Sequence, residues 1–118
     1  MNKVKITISK TEFEFYFGLG FWSGLKENQG IDVDEIAPML KDNKLKLIPI
    51  LMLESARYSA ERREVGFKMK LYDFIDAIDD DGGISSEGLV KFLFAFTDSM
   101  TKDVPKEPTT KKKVTQKK

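Results

Sequence analysis

The sequence contains neither cysteine nor histidine. Their absence removes disulfides, thiolate nucleophiles, imidazole general bases and the usual zinc ligand sets in one step. No apolar run reaches the about 20 residues that span a bilayer. Residues 1–9 alternate in polarity where a signal peptide would carry an apolar block. The expectation is a soluble cytoplasmic protein with no catalytic residue, no cofactor, no metal ligand and no membrane partner.

At 118 residues the chain can bury one core but not two. Its net charge of +1 hides an asymmetry, because residues 101–118 hold seven lysines against Asp103 and Glu107, a balance of +5. The first 100 residues carry 13 basic against 17 acidic side chains, a balance of −4. Residues 101–118 also contain two prolines, no aromatic residue and no periodicity. Residues 1–100 therefore read as a single globular domain and 101–118 as a disordered basic tail. That tail lacks the interleaved aromatics and folded basic face of nucleic-acid recognition, so no nucleic-acid partner is expected.

Leu45–Glu64 organises the rest. Its first half, to Leu53, is apolar almost all round and must be surrounded by other elements. In its second half Ser55, Ala56, Ser59 and Ala60 form a small-residue stripe that lets a neighbouring helix approach closely. Pro49 has no N–H and suits a first helical turn, which places the start of the regular helix near Ile48 after a lead-in turn over 44–47, or else a kink there.

Before it, Lys3–Ser9 and Glu12–Phe17 alternate, with Val4, Ile6 and Ile8 on one side and Phe13, Phe15 and Phe17 on the other strand. They predict an antiparallel hairpin whose apolar face lies on helices. A helix over Leu19–Asn28 carries Phe21, Trp22 and Leu25 and closes at Gly30. Asp32 with Glu35 forms a capping-box pattern for a short helix bearing Ile36, Met39 and Leu40.

After a break at Val65-Gly66, Lys68–Asp79 shows one apolar stripe of Leu71, Phe74, Ile75 and Ile78. Ser85 or Ser86 then caps a last helix to about Met100, whose main stripe is Leu89, Phe92, Leu93, Phe96 and Met100. Val90 and Phe94 form a second line beside it. That line is either extra burial beneath the hairpin or a docking face for a partner. The fold class is α+β, mainly α: an N-terminal hairpin packed on a bundle of four to five helices.

Three patterns invite a chemical reading. Asp79, Asp81, Gly82 and Ile84 match positions 3, 5, 6 and 8 of a calcium-binding EF-hand loop, but positions 1 and 12 fall on Ala77 and Gly88, where Asp and a bidentate Glu belong. Sliding the register to Asp76 and Glu87 puts Asp81 at the glycine position. An acidic turn between two helices explains every residue. Gly18-Leu19-Gly20 and Gly24 miss both dinucleotide and P-loop spacings, leaving a strand-to-helix corner as the reading. Glu54, just past the apolar run, is expected to bond Arg57 or Tyr58 or to face a polar edge.

The order of elements carries a resemblance. The apolar hairpin, Phe17-Gly18-Leu19-Gly20-Phe21, the helix to Leu25, the short Asp32–Leu40 helix, the Leu45–Tyr58 helix and the Phe74–Met100 pair resemble the tail assembly chaperones of tailed bacteriophages and prophages. Pro49 in the central helix and the acidic turn depart from that layout. The resemblance implies a protein of the host cytoplasm, absent from the mature virion, that binds the tape measure protein, with the tail tube subunit as a second candidate. It also implies a longer form made by ribosomal frameshifting, with which Lys111-Lys112-Lys113 is compatible. The alternative is a small helical regulatory or interaction module with a degenerate EF-hand-like turn.

Overall fold

The computed structural model describes residues 3–103, with side chains described through Met100. Strands β1 (Lys3–Ile8) and β2 (Thr11–Tyr16) form an antiparallel hairpin, followed by helices α1 (Leu19–Gln29), α2 (Ile36–Asp42), α3 (Lys44–Arg62), α4 (Leu71–Asp80) and α5 (Glu87–Asp103). Single 3₁₀ turns over Val33–Glu35 and Gly83–Ser85 lead into α2 and α5. The fold is α+β and mainly α, as the periodicities predict.

The hairpin register pairs Ile6 with Phe13 and Val4 with Phe15. Side chains alternate across a strand, so the apolar residues share one face. The turn is two residues long, and Ser9 and Lys10 both have positive φ, 52° and 69°. That is the pattern of a type I′ turn, whose twist matches the strands it joins. Non-glycine residues there cost about 1 kcal/mol or more each. The Ser9 N–H is held from outside, donating to the Asp81 carboxylate at 3.4 Å.

The hairpin face is covered by helices. Phe15 meets Phe92 of α5 edge-on at 4.9 Å between ring centroids and Phe74 of α4 at 6.5 Å. Phe17, just past β2, packs edge-on against Phe21 of α1 and against Phe92 and Phe96, all within 5.4–5.5 Å. Such pairs add about 0.5–1.5 kcal/mol each beyond area burial. This aromatic layer is the centre of the core.

Helix α3 begins at Lys44 rather than near Ile48, and Pro49 lies inside it. The Lys46 and Leu47 amides bond back to the Asn43 carbonyl. Proline at 49 withholds a donor from the Leu45 carbonyl, but that carbonyl sits in the first turn, where the Leu45 residue is exposed to water. The cost expected of an interior proline is thereby reduced. Leu47, Ile48, Leu51 and Met52 are fully buried, and the small residues Ser55, Ala56, Ser59 and Ala60 are buried as well. The main neighbour of α3 is strand β2 rather than another helix, with α1, α4 and α2 around it. Tyr58 packs on Tyr16 at 4.8 Å, and Arg63 reaches Glu14 at 3.5 Å.

The break after α3 also differs from expectation. The Val65 N–H bonds the Ala60 carbonyl and Glu64 takes the left-handed conformation, φ 59°. Glu64, not Gly66, is the reversing residue of a Schellman-type end. Helix α4 starts at Leu71 instead of Lys68, because the Asp73 carboxylate accepts the Lys70 N–H at 2.7 Å and makes Lys70 the cap. Gly30 closes α1 at φ 70°, as its position predicts. Helix α5 runs three residues past Met100 into the stretch expected to be disordered. The remainder of that basic segment, 104–118, lies outside the described residues.

Candidate functional site

The orientation of α5 is set at its first turn. The Ser86 hydroxyl accepts the Leu89 N–H at 3.1 Å and donates to the Asp81 carboxylate. That carboxylate also accepts the Gly88 N–H at 3.2 Å. Ser86 rather than Ser85 is therefore the cap. Gly88 is glycine for a packing reason: a Cβ there would stand 2.5 Å from Cγ1 of Ile8. Helix α5 thus lies tight on β1, and its rotation about its own axis has little freedom.

In that orientation Leu89, Phe92 and Phe96 are buried, with Leu93 and Met100 half-buried. Val90 and Phe94 point the other way, 44% and 74% exposed. The hairpin does not cover them. Lys91 is exposed beside them, so the surface offers an aromatic side chain, a β-branched one and a cation on a rigid helix.

The acidic turn is accounted for by the same contacts. Asp81 binds three protein donors, from Ser9, Ser86 and Gly88, and ties the hairpin tip to the start of α5. The Ser86 hydroxyl, then the Gly88 N–H, hold the Asp81 carboxyl below the usual carboxylate range. Residue 88, at the last ligand position of the EF-hand register, is packed on Ile8. Among the described residues no three acidic side chains converge as a metal site would require.

Glu54 is 2% exposed and fully engaged. Its carboxylate accepts from Asn28 at 3.0 Å, from Gln29 at 2.9 Å and from Arg57 at 3.1 and 3.3 Å. The Arg57 partner matches the expectation from the sequence, whereas Tyr58 instead packs on Tyr16. Asn28 and Gln29, from the last turn of α1, carry no local signal of this role. They lie some 25 residues away, and only the α1–α3 packing brings them in. Glu54 thus locks two helices together and presents no unused oxygen to a substrate.

The glycine corner is likewise structural. The Tyr58 ring occupies the space that a Cβ on Gly18 or Gly20 would need.

Leu45, expected to be surrounded as the start of the apolar run, is instead 57% exposed, because the first turn of α3 projects beyond its neighbours, and with the exposed Tyr72 and Ile84 it lines one groove. Tyr72 stands one position beside the α4 stripe, and Ile84 is camouflaged within the acidic turn. Among the described residues no helix is long and apolar enough to cross a membrane. Compared with protein families, curated sequences and solved structures, the chain matches none.

Proposed function

We propose that this is a binding protein of the tail assembly chaperone type. In this reading it acts in the host cytoplasm, holds the tape measure protein soluble while a phage tail is built, and takes the tail tube subunit as a second client. It performs no chemistry of its own and leaves before the virion is complete.

The observation that carries the reading is the exposure of Phe94 with Val90 on a helix whose other face is committed to the core. A solvated helix gains nothing from an uncovered phenylalanine at mid-length. A client-holding protein needs such a residue, because aromatic anchors supply a large share of the energy in small interfaces. Amphipathic helices in an extended client present matching apolar faces at i, i+3, i+4 and i+7. The hairpin, the Phe17–Phe21 corner and the helix order are consistent with the layout on which the family resemblance rests.

The reading is tested by expressing the tape measure protein of the same genome with and without this chain. The expected result is a client that is insoluble alone and co-purifies with the chain when both are made. Equal client solubility in both cultures, with no co-purification, would refute the proposal.

A further inference from the structure

The hairpin register fixes which backbone groups reach the edges of the sheet. Ile8 and Thr11 close the two-residue turn and exchange both hydrogen bonds, so Ile6–Phe13 and Val4–Phe15 are the bonded pairs that follow. The alternate residues point their N–H and C=O groups away from the partner strand. These are Lys3, Lys5 and Thr7 on the β1 edge and Glu12, Glu14 and Tyr16 on the β2 edge.

The two edges differ. Tyr58 and Arg63 of α3 reach the outward-facing side chains of Tyr16 and Glu14, so this helix wraps around the β2 edge. Helix α5 lies beneath β1, with Gly88 against Ile8, and among the described residues no helix bonds the outward groups of Lys3, Lys5 or Thr7. All three residues are exposed. Their side chains share the water-facing side of the hairpin. Lys5 stands opposite Glu14, but Arg63 engages that carboxylate at 3.5 Å and Lys5 has no ion-pair partner among the described residues. Lys3 lies over the Tyr16 ring at 5.1 Å. The open edge is therefore also the basic one.

We infer that the β1 edge takes an extended, acidic segment of a partner protein as a third, antiparallel strand, with Asp or Glu at the alternate positions that face Lys3 and Lys5. An open strand edge is a template for another strand, because only an extended chain presents N–H and C=O groups at the matching spacing. Residues directly opposite one another in the ladder bring their side chains to the same face, about 5 Å apart, so an acid facing each lysine adds attraction. The intervening residues of the incoming strand turn to the helix side of the sheet, which suits β-branched apolar side chains.

Other occupants fit less well. A second copy pairing β1 with β1 gathers Lys3 and Lys5 of both chains on one face of a short ladder, where like charges destabilise. Residues 104–118 of the chain itself are dominated by lysine and meet the same repulsion. The inference rests on β1 and is independent of the client reading, since neither Val90 nor Phe94 enters it.

The test is fluorescence polarisation with the full chain and a labelled peptide of about seven residues, alternating glutamate and valine, at about 50 mM salt. The expected dissociation constant is on the order of 100 µM, and lysine in place of glutamate should abolish binding. Two N-methylated peptides separate strand addition from plain charge attraction. Methylation of the glutamate amides removes the N–H groups that face β1 and should abolish binding, whereas methylation of the valine amides, which point away, should leave it within about threefold. In the protein, Thr7→Pro removes an edge N–H that the β2 ladder does not use, a change that edge strands tolerate. Lys5→Glu sets like charges opposite one another. Each should weaken binding by about tenfold or more. Circular dichroism checks that both variants fold, and Lys5→Glu with the methylated peptides decides the matter if Thr7→Pro does not. Absence of binding up to about 1 mM would overturn the inference. So would equal affinity for the two methylated peptides, undiminished binding of the lysine peptide, or unchanged affinity in Lys5→Glu. Self-association of the wild type in sedimentation velocity that Thr7→Pro abolishes would give the edge to a second copy, and would overturn it too.

Discussion

Tyr58 of α3 lies against Gly20 of α1 so closely that no Cβ fits between them, and it also crowds Gly18, where a Cβ would stand 2.8 Å from Cε2. The contact sets how the strand-to-helix corner seats on the central helix. It predicts that Gly20→Ala destabilises the fold even though alanine is the better helix former by about 1 kcal/mol. Overpacking costs about 1–3 kcal/mol, and the close approach of the Tyr58 ring places this site toward the upper end, leaving a net loss of up to about 2 kcal/mol. The denaturant midpoint checks this. In the background of Tyr58→Leu the same substitution should cost markedly less, because the two residues share one contact.

A second prediction concerns the end of α3. Glu64 holds a left-handed conformation that glycine adopts without strain, so Glu64→Gly should stabilise the protein by about 1 kcal/mol. Gly66 has ordinary φ and open space around its Cβ position. Gly66→Ala should therefore stay within about 0.5 kcal/mol of the wild type or gain slightly. Thermal melts of the two variants decide it, and a destabilised Glu64→Gly would show that the carboxylate has a role beyond the turn.

These two sites show why parts of the fold were legible from sequence and parts were not. Alternation over Val4, Ile6, Ile8 and Phe13, Phe15, Phe17 led directly to the hairpin, and the i, i+3, i+4 spacing of Phe74 and Phe92 led to the helices beneath it. Each pattern arises from one face meeting the core. Glu64 carries no such mark, since a strained non-glycine residue is held by the surrounding hydrogen bonds and not by its own preference. The start of α3 was misplaced because the cost of Pro49 was assigned without knowing that its orphaned acceptor lies in an exposed first turn. The second apolar line of α5 was visible as Val90 and Phe94, but its exposure depends on the hairpin lying on the opposite face. The Leu45–Tyr72–Ile84 groove had no signature at all, because its residues come from three elements and only packing brings them together.

Removing the Glu54 carboxylate should be costly. Glu54→Ala leaves the Asn28 and Gln29 amides without their acceptor and the Arg57 guanidinium without its counter-charge. Breaking a buried pair from one side costs about 3–5 kcal/mol. Arg57 is about one-third exposed, so water can recover part of this and a loss of about 2–4 kcal/mol is expected. Urea unfolding measures it. A loss below about 0.5 kcal/mol would mean that the α1–α3 lock contributes little.

The depressed pKa of Asp81 gives a pH dependence with a definite sign. Its folded value lies below the ordinary 3.8, because the Ser86 hydroxyl and the Gly88 N–H favour the ionised form. The resulting stability is present above the unfolded value and is lost as pH falls through the folded one. Asp81→Asn should therefore melt below the wild type at neutral pH, and the difference should narrow on acidification. A gap that stays constant or widens would contradict this. Because the Asp81 carboxylate already serves protein donors, millimolar calcium should leave the melting temperature of the wild type unchanged, and a rise of several degrees would show metal binding.

The central claim, that Phe94 anchors a client, is tested most directly by Phe94→Asp in cells that co-express the tape measure protein. The side chain is exposed, so the variant should remain folded by circular dichroism and melt near the wild type. An aromatic anchor replaced by a charge typically loses about 2 kcal/mol or more of binding, enough to reduce recovered client by at least about tenfold. The predicted result is a folded, soluble variant that no longer co-purifies the tape measure protein. A folded variant that recovers the client as well as the wild type would contradict the claim.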